Sequence, residues 1–240
     1  MSSSLVGNHA TIKVPYAFSG NVIYASSTTT TNTLDVPPFT RWDPQWKSGR
    51  YVTNLNICKA DYRGFHYSVD GDCSGTAVYF SADGDSHLTF IWGIHYSGIR
   101  IAGAFEYGIR AVNYNEGWLH EMHIDAFIDA CETAISLEDC NQAYVSAIIQ
   151  PRRALKTDGK TYVPYAKHGI KLIRSKNVDL SGSRVWDWNS DTTLYGSNDE
   201  YNFLSMYGNC RGAIVNAFQY YETSADIREL IYTDTASNLE

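Results

Sequence analysis

Ile170-Lys-Leu-Ile-Arg-Ser-Lys-Asn-Val-Asp-Leu180 decides the fold, because the chain carries this pattern more than once. An earlier copy is Ile135-Ser-Leu-Glu-Asp-Cys-Asn-Gln-Ala-Tyr-Val145, and a later one is Leu204-Ser-Met-Tyr-Gly-Asn-Cys-Arg-Gly-Ala-Ile214. Each is apolar-x-apolar, a polar elbow, and an apolar residue ten positions after the first. The copies start 170 − 135 = 35 and 204 − 170 = 34 residues apart, and a looser copy (Ile109 to Ala111, then Leu119) starts 135 − 109 = 26 residues earlier. Self-similarity at such a period marks a solenoid or an array. The short alternating runs are strands with one buried face, not helical stripes. The expected fold is all-β, a parallel β-helix in which strand, elbow and strand form one coil stacked on copies of itself.

The bulk properties narrow the class of partner. The 240 residues are enough for a substantial core, and 18 Tyr and 6 Trp make the chain rich in aromatics. A net charge of −7 without a basic run argues against nucleic acid as a partner. Arg152, Arg153, Lys156 and Lys160 read as a solvated loop. No stretch reaches eighteen consecutive apolar residues, so no membrane span is expected. The start, Met1-Ser-Ser-Ser-Leu-Val-Gly-Asn-His9, has neither the basic nor the apolar region of a secretory signal. Five cysteines without a C-x-x-C pair argue for buried thiols and against both a disulfide framework and a structural zinc site. No cofactor and no metal are expected.

Texture divides the chain at about residue 57. Residues 1–57 read as an irregular N-terminal cap or the first coils: Val22-Ile23-Tyr24 is strand-like, Ser26 to Thr33 is a Ser/Thr run, and Pro37, Pro38 and Pro44 remove ladder donors. Residues 58–240 read as the β-helix domain. Short strands follow one another at Leu55–Ile57, Val78–Phe80, Leu88–Phe90, Ile99–Ile101 and Ile109–Ala111, with glycine at the corners. The best helical candidate is Ser224 to Leu230, about two turns. The chain stops at Leu239-Glu240 without a closing cap, so a fragment of a longer protein is expected.

Aligning the repeats proposes where a ligand would lie. The ends of the second strands, laid one above another, give a column Asp125, Pro151, Trp186, Tyr220, then Ala126, Arg152, Asp187, Tyr221, then Phe127, Arg153, Trp188, Glu222. Two long insertions follow, Ala154 to His168 and Asn189 to Tyr201, and insertions tend to gather on the binding face. Trp186, Trp188, Tyr220 and Tyr221 offer faces for sugar rings, and Arg152 and Arg153 offer donors to their hydroxyls. The alternative is that the aromatics pack a subunit interface. Glycoside hydrolysis needs two carboxyl groups about 5 Å apart for retention or about 6.5–9.5 Å for inversion. Coils about 4.8 Å apart make Asp187 with Glu222, or Asp125 with Asp187, admissible pairs. Asp125, Asp187 and Glu222 are therefore the candidate catalytic residues.

Other motifs carry less. Gly84-Asp85-Ser86 has the form of the nucleophile block of SGNH-type esterases, but no Asp-x-x-His follows near the C-terminus, and a coil corner is the simpler reading. His120-Glu-Met-His123-Ile-Asp125 is no metal site in a strand, since His120 and His123 would point apart. Asp70-Gly-Asp72 is a turn by composition.

With these repeats in place, the chain resembles bacteriophage tailspike and tail-fibre receptor-binding proteins built on the right-handed, pectate-lyase-like parallel β-helix. The segments that carry the likeness are Gly169 to Gly182, Ser183-Arg-Val-Trp-Asp-Trp-Asn189, and Ser224 to Asp234, within about residues 75 to 235. The resemblance implies a homotrimeric protein of the virion tail, synthesised in the host cytoplasm. It also implies binding, and often cleavage, of a bacterial surface polysaccharide such as capsule or O-antigen. The family has no universal catalytic motif, so no catalytic residue is carried over. The alternative within this class is a non-catalytic adhesive or structural trimeric shaft domain. A polysaccharide lyase would be expected to show an Arg/Lys cluster with calcium-binding carboxylates, and only Arg152 and Arg153 hint at it.

Overall fold

The computed structural model describes residues 5–28, 51–59, 73–84, 90–115, 118–150, 153–155, 162–164, 166–186, 202–215, 219–221, 231–234 and 237. Among these the chain is all-β, with parallel sheets and no helix. In order the strands are β1 (Leu5–Val14), β2 (Asn21–Thr28), β3 (Tyr51–Lys59), β4 (Thr76–Gly84), β5 (Phe90–Ala102) and β6 (Tyr107–Asn115). Next come β7 (Trp118–Asp129), β8 (Thr133–Glu138), β9 (Cys140–Gln150), β10 (Arg153–Leu155), β11 (Tyr162–Pro164) and β12 (His168–Ile173). The last are β13 (Lys176–Asp179), β14 (Arg184–Trp186), β15 (Asn202–Tyr207), β16 (Gln219–Tyr221) and β17 (Ile231–Thr233).

Successive strands alternate between two sheets. One runs β1-β3-β5-β7-β9-β14-β16, with β13 also on β9, and the other runs β17-β15-β12-β8-β6-β4-β2. All pairings within both are parallel, and among the described residues only the short hairpin β10-β11 is antiparallel. The sequence repeat lies in register: Ile23, Val78, Ile109, Ile135, Ile170, Leu204 and Ile231 are successive partners across the second sheet. The described residues of the N-terminal 57 are rungs of the same sheets, since β1 pairs with β3 and β2 with β4. The candidate helix Ser224 to Leu230 and the motifs at 70–72 and 85–86 lie outside the described residues.

The core fills the space between the sheets. Ile57, Ile101, Ile128, Ile149 and Val185 form one column from the first sheet. Ile109, Ile135, Ile170 and Leu204 form one from the second, and every member of both is essentially inaccessible to water. Each such side chain contributes roughly 1.5–3 kcal/mol on burial, so the columns, not strand propensity, hold the stack together. Buried thiols join this core. Cys131 and Cys140 donate to the carbonyls of Gly103 (3.7 Å) and Glu138 (3.4 Å), and burial pushes both thiols up, so they stay protonated and unreactive.

The coils turn at columns of left-handed residues. Asp139 (φ +52°), Arg174 (+48°) and Gly208 (+69°) sit above one another where the chain leaves the second sheet. Only glycine takes this conformation freely; elsewhere it costs about 1–2 kcal/mol. Arg174 offsets that cost with hydrogen bonds to both carboxylate oxygens of Asp139 (2.9 and 3.1 Å from Nε) and to Glu138 (2.7 Å from Nη2). A second column bends the first sheet: Gly93 (+63°), Glu121 (+52°), Gln142 (+61°), Asn177 (+53°) and Gly212 (+62°). Here Asn177 donates to the side-chain oxygen of Asn141 at 2.9 Å.

Candidate functional site

The bend at Glu121 breaks strand alternation locally, and beyond it the period of two resumes. Met122, Ile124 and Ala126 enter the core, while His123 and Asp125 point to solvent. The neighbouring strands follow the same rule. His95, His123, Tyr144 and Asp179 are therefore successive partners across β5, β7, β9 and β13 on the outer face of the first sheet. The His95 and His123 rings stack at 4.5 Å between centroids with 8° between planes, and His123 and Tyr144 at 4.7 Å and 18°. These distances are the strand spacing itself.

Asp125 lies in the next row outward along the strands, partnered with Ser146. That row is irregular on both sides. On β5 the register shifts between Tyr96 and Ile99, so Ser97 and Gly98 together oppose Asp125 as a bulge. Beyond Ser146 the rung is interrupted: β13 ends at Asp179, and β14 restarts at Arg184 after Gly182 (φ +83°). The Asp179 carboxylate accepts the Ser181 amide at 2.8 Å, fixing that turn. Ser183 repairs the broken ladder by donating to the Val145 carbonyl (2.9 Å) and accepting the Ala147 amide (3.4 Å). The two interruptions open a cleft of about 340 Å³ bounded by His95, Ser97, His123, Asp125, Tyr144, Ser146, Asp179 and Ser181. That is the lower end of the size range of small-molecule sites.

The stacking decides what this wall can do. Because His95, His123 and Tyr144 lie face to face, their shared faces are closed to a ligand, and the row presents edges: ring nitrogens and a phenol. Tyr144 is 41% exposed, with His123 stacked on one side and Asp179 as its partner on the other. The histidines are a poor metal pair, since nearly parallel rings aim their lone pairs side by side instead of converging. Among the described residues no group of three or more His, Cys, Asp or Glu side chains could hold a metal ion.

Partial burial, then the nearby His95, hold His123 below the ordinary imidazole value of 6.5, with Glu121 opposing; His120 is lowered as well, mainly by burial. The unfolded chain thus binds more protons, and stability is expected to fall as pH drops through 6.5 and on through the lower folded values. Thermal unfolding between pH 7.5 and 5 checks this. His123→Phe should flatten the slope, and an unchanged slope would contradict the assignment.

The sequence-selected residues divide. Asp125 is in the cleft. Its column is not the expected one: Asp125 pairs with Ser146, not Pro151, and Trp186 pairs with Tyr221 while Tyr220 pairs with Val185. The five-residue slip at Asp125 has a plain cause. From Ile109 to Met122 is 122 − 109 = 13 residues, but from Ile135 to the matching Ala143 is only 143 − 135 = 8, so one corner is five residues longer. The second sheet's repeat therefore does not carry over to the first. Arg153 belongs to the β10-β11 hairpin, apart from the two parallel sheets, and Phe127 is partnered instead by Ile148 and then Arg184. Arg152, Asp187, Trp188 and Glu222 lie outside the described residues. His95, Tyr144, Ser146 and Asp179 were missed, and the correct corner length would have found them.

The fold and cleft define a class: an all-β chain of stacked parallel strands with a cleft on one outer face. Comparison with known proteins adds no relative, since no family model, no curated protein and no solved structure matches the chain. Among the described residues no helix is long and apolar enough to cross a membrane.

Proposed function

We propose that this chain is the receptor-binding domain of a bacteriophage tailspike or tail fibre, a right-handed parallel β-helix that binds a bacterial surface polysaccharide, capsule or O-antigen, as a homotrimer in the virion tail. The observation that carries this reading is the cleft at Asp125, where the ladder fails on both sides of one row of an otherwise regular sheet. A polymer lying there would place one sugar against the exposed edge of Tyr144. Its hydroxyls would meet Asp125, Ser146, Asp179 and the imidazole edges.

Cleavage by glycoside hydrolysis is the further step of this reading. Asp125 and Asp179 are two strands and two residues apart, roughly 12 Å between Cα atoms. Side chains reaching toward each other would bring the carboxyls into the range of about 6.5–9.5 Å of an inverting pair, with one as acid and one activating water. The sequence pair partners Asp187 and Glu222 remain candidates in the same role. The second reading, a non-catalytic adhesive or shaft domain, rests on exposed aromatics such as Tyr24 (56% exposed), stacked on the half-buried Tyr79, which would serve as contacts between subunits.

The test is incubation with purified capsule or O-antigen, following bound polymer and released oligosaccharide. Tyr144→Ala is expected to weaken binding about tenfold. Asp125→Asn should keep binding and lower release by about 10²–10⁴-fold. Binding without release by the native chain would sink the hydrolase reading, and no binding at all would sink the receptor reading. A solution mass other than that of a trimer would remove the homotrimer.

A further inference from the structure

Histidine is the side chain that changes charge near neutral pH, and two of them border the cleft, stacked on each other. The rings of His95 and His123 are 4.5 Å apart with 8° between planes, and Tyr144 closes the other face of His123 at 4.7 Å. Both histidines are exposed, so protons reach them freely. Neutral rings can share this arrangement. Two imidazoliums at 4.5 Å repel, and even in the dielectric of bulk water that disfavours the second proton about fivefold. A ligand that excludes water strengthens the effect. The two rings therefore titrate as a pair.

The groups around the pair set the sign. On β7 itself, Glu121 and Asp125 stand two residues to either side of His123, and Asp125 borders the same cleft. The Tyr144 phenol comes from β9 and Asp179 from β13 beyond it, while Tyr51 of β3 is the register partner of His95. Two cations stand outside this row. Arg100 lies over the ring of Phe127, four residues past His123, and Lys176 is opposite Asn141, three residues before Tyr144. Carboxylates favour a charged imidazole, but for His123 burial and the second imidazole prevail, and it is held below 6.5. A saccharide lying on the ring edges would remove the water that solvates an imidazolium, which acts in the same direction. An imidazolium would also compete with sugar hydroxyls for the Asp125 carboxylate.

We propose that His95 and His123 make the cleft a proton-controlled binding site, which holds its saccharide while both imidazoles are neutral and releases it when the pair takes up a proton. The switch rests on the receptor reading given above and adds the condition under which the receptor is held.

The probe is purified capsule or O-antigen polysaccharide, titrated into the full chain by calorimetry at pH 7.5 and 5.5. Both values lie above the ordinary carboxylate range of about 3.9–4.3, and circular dichroism checks the fold at each. The dissociation constant is expected to rise about three- to tenfold at pH 5.5, where binding should also release protons. The double variant His95→Phe/His123→Phe keeps two rings in the stack that take no proton. It should bring the ratio of the two constants to about one, whatever affinity it retains. Imidazole resonances of the unaltered chain give a second readout: at pH 5.5 the polymer should move His95 and His123 toward the neutral form and leave His9, exposed on β1, where it was. Equal or tighter binding at pH 5.5, a ratio that survives in the folded double variant, or imidazole signals unmoved by bound polymer would overturn the switch and leave the receptor reading standing. Absence of binding at both pH values would remove the two together.

Discussion

Lys59→Met is expected to lower stability by about 3–5 kcal/mol, at the upper end of what one substitution does to a folded chain. Lys59 is 1% exposed, at the end of β3. Its ammonium donates to the carbonyls of Tyr16 (2.9 Å) and Phe18 (3.1 Å) and to the Ser74 hydroxyl (2.9 Å), and lies 5.2 Å from the centre of the Phe105 ring. Methionine fills similar volume, so the change isolates the donors. The Tyr16 carbonyl and the Ser74 hydroxyl would lose this donor, and the Phe18 carbonyl would keep only the Ser74 hydroxyl, at about 1–3 kcal/mol for each group left unsatisfied before relaxation. At this chain length the melting temperature should fall by about 6–20 °C. The contacts tie the turn between β1 and β2 to the start of β4, so amide exchange should accelerate first at Phe18 and Thr76, which bond to Pro15 and Gly20. A shift under about 2 °C would show that the charge brings no net stability.

Gly169→Ala should destabilise by about 3 kcal/mol or more. A Cβ at Gly169 would fall 2.7 Å from the Phe203 carbonyl oxygen and closer still to its ring. Phe203 is completely buried, and its strand β15 is hydrogen-bonded to β12 in register from Asn202 to Tyr207. Neither backbone can move without breaking ladder bonds, and the ring cannot swing out of a packed core. Ser181→Ala, a change of similar size on a half-buried turn outside the core, is the control and should stay within about 0.5 kcal/mol. Urea midpoints of the two variants decide the matter. Equal midpoints would mean that the β12–β15 contact is softer than its geometry.

These two sites differ in how visible they were. Gly169 adjoins the repeat, which placed Ile170 over Ile135 and under Leu204, as the register has it. Nothing in the sequence distinguished Lys59 from a solvated lysine, because its partners are backbone carbonyls 43 and 41 residues away. The cleft falls between these cases. Asp125 was singled out by its residue type, but its neighbours Ser146 and Asp179 depended on corner lengths that change from coil to coil. Glu121, Gln142 and Asn177 gave no warning either, since left-handed conformation at such residues is imposed by the stacked neighbours.

What the sequence determined by itself is the alternation and its period: apolar residues two apart, recurring every 34 to 35 positions, leave stacked parallel strands as the arrangement that buries them all. That physics is local and repeats with the chain. The tertiary structure alone decided which rows of the two sheets face one another, because register depends on the number of residues spent at each corner. A change of a single residue moves every side chain to the other face. The cleft beside Asp125 is a consequence of register, and so became visible only when the strands were paired.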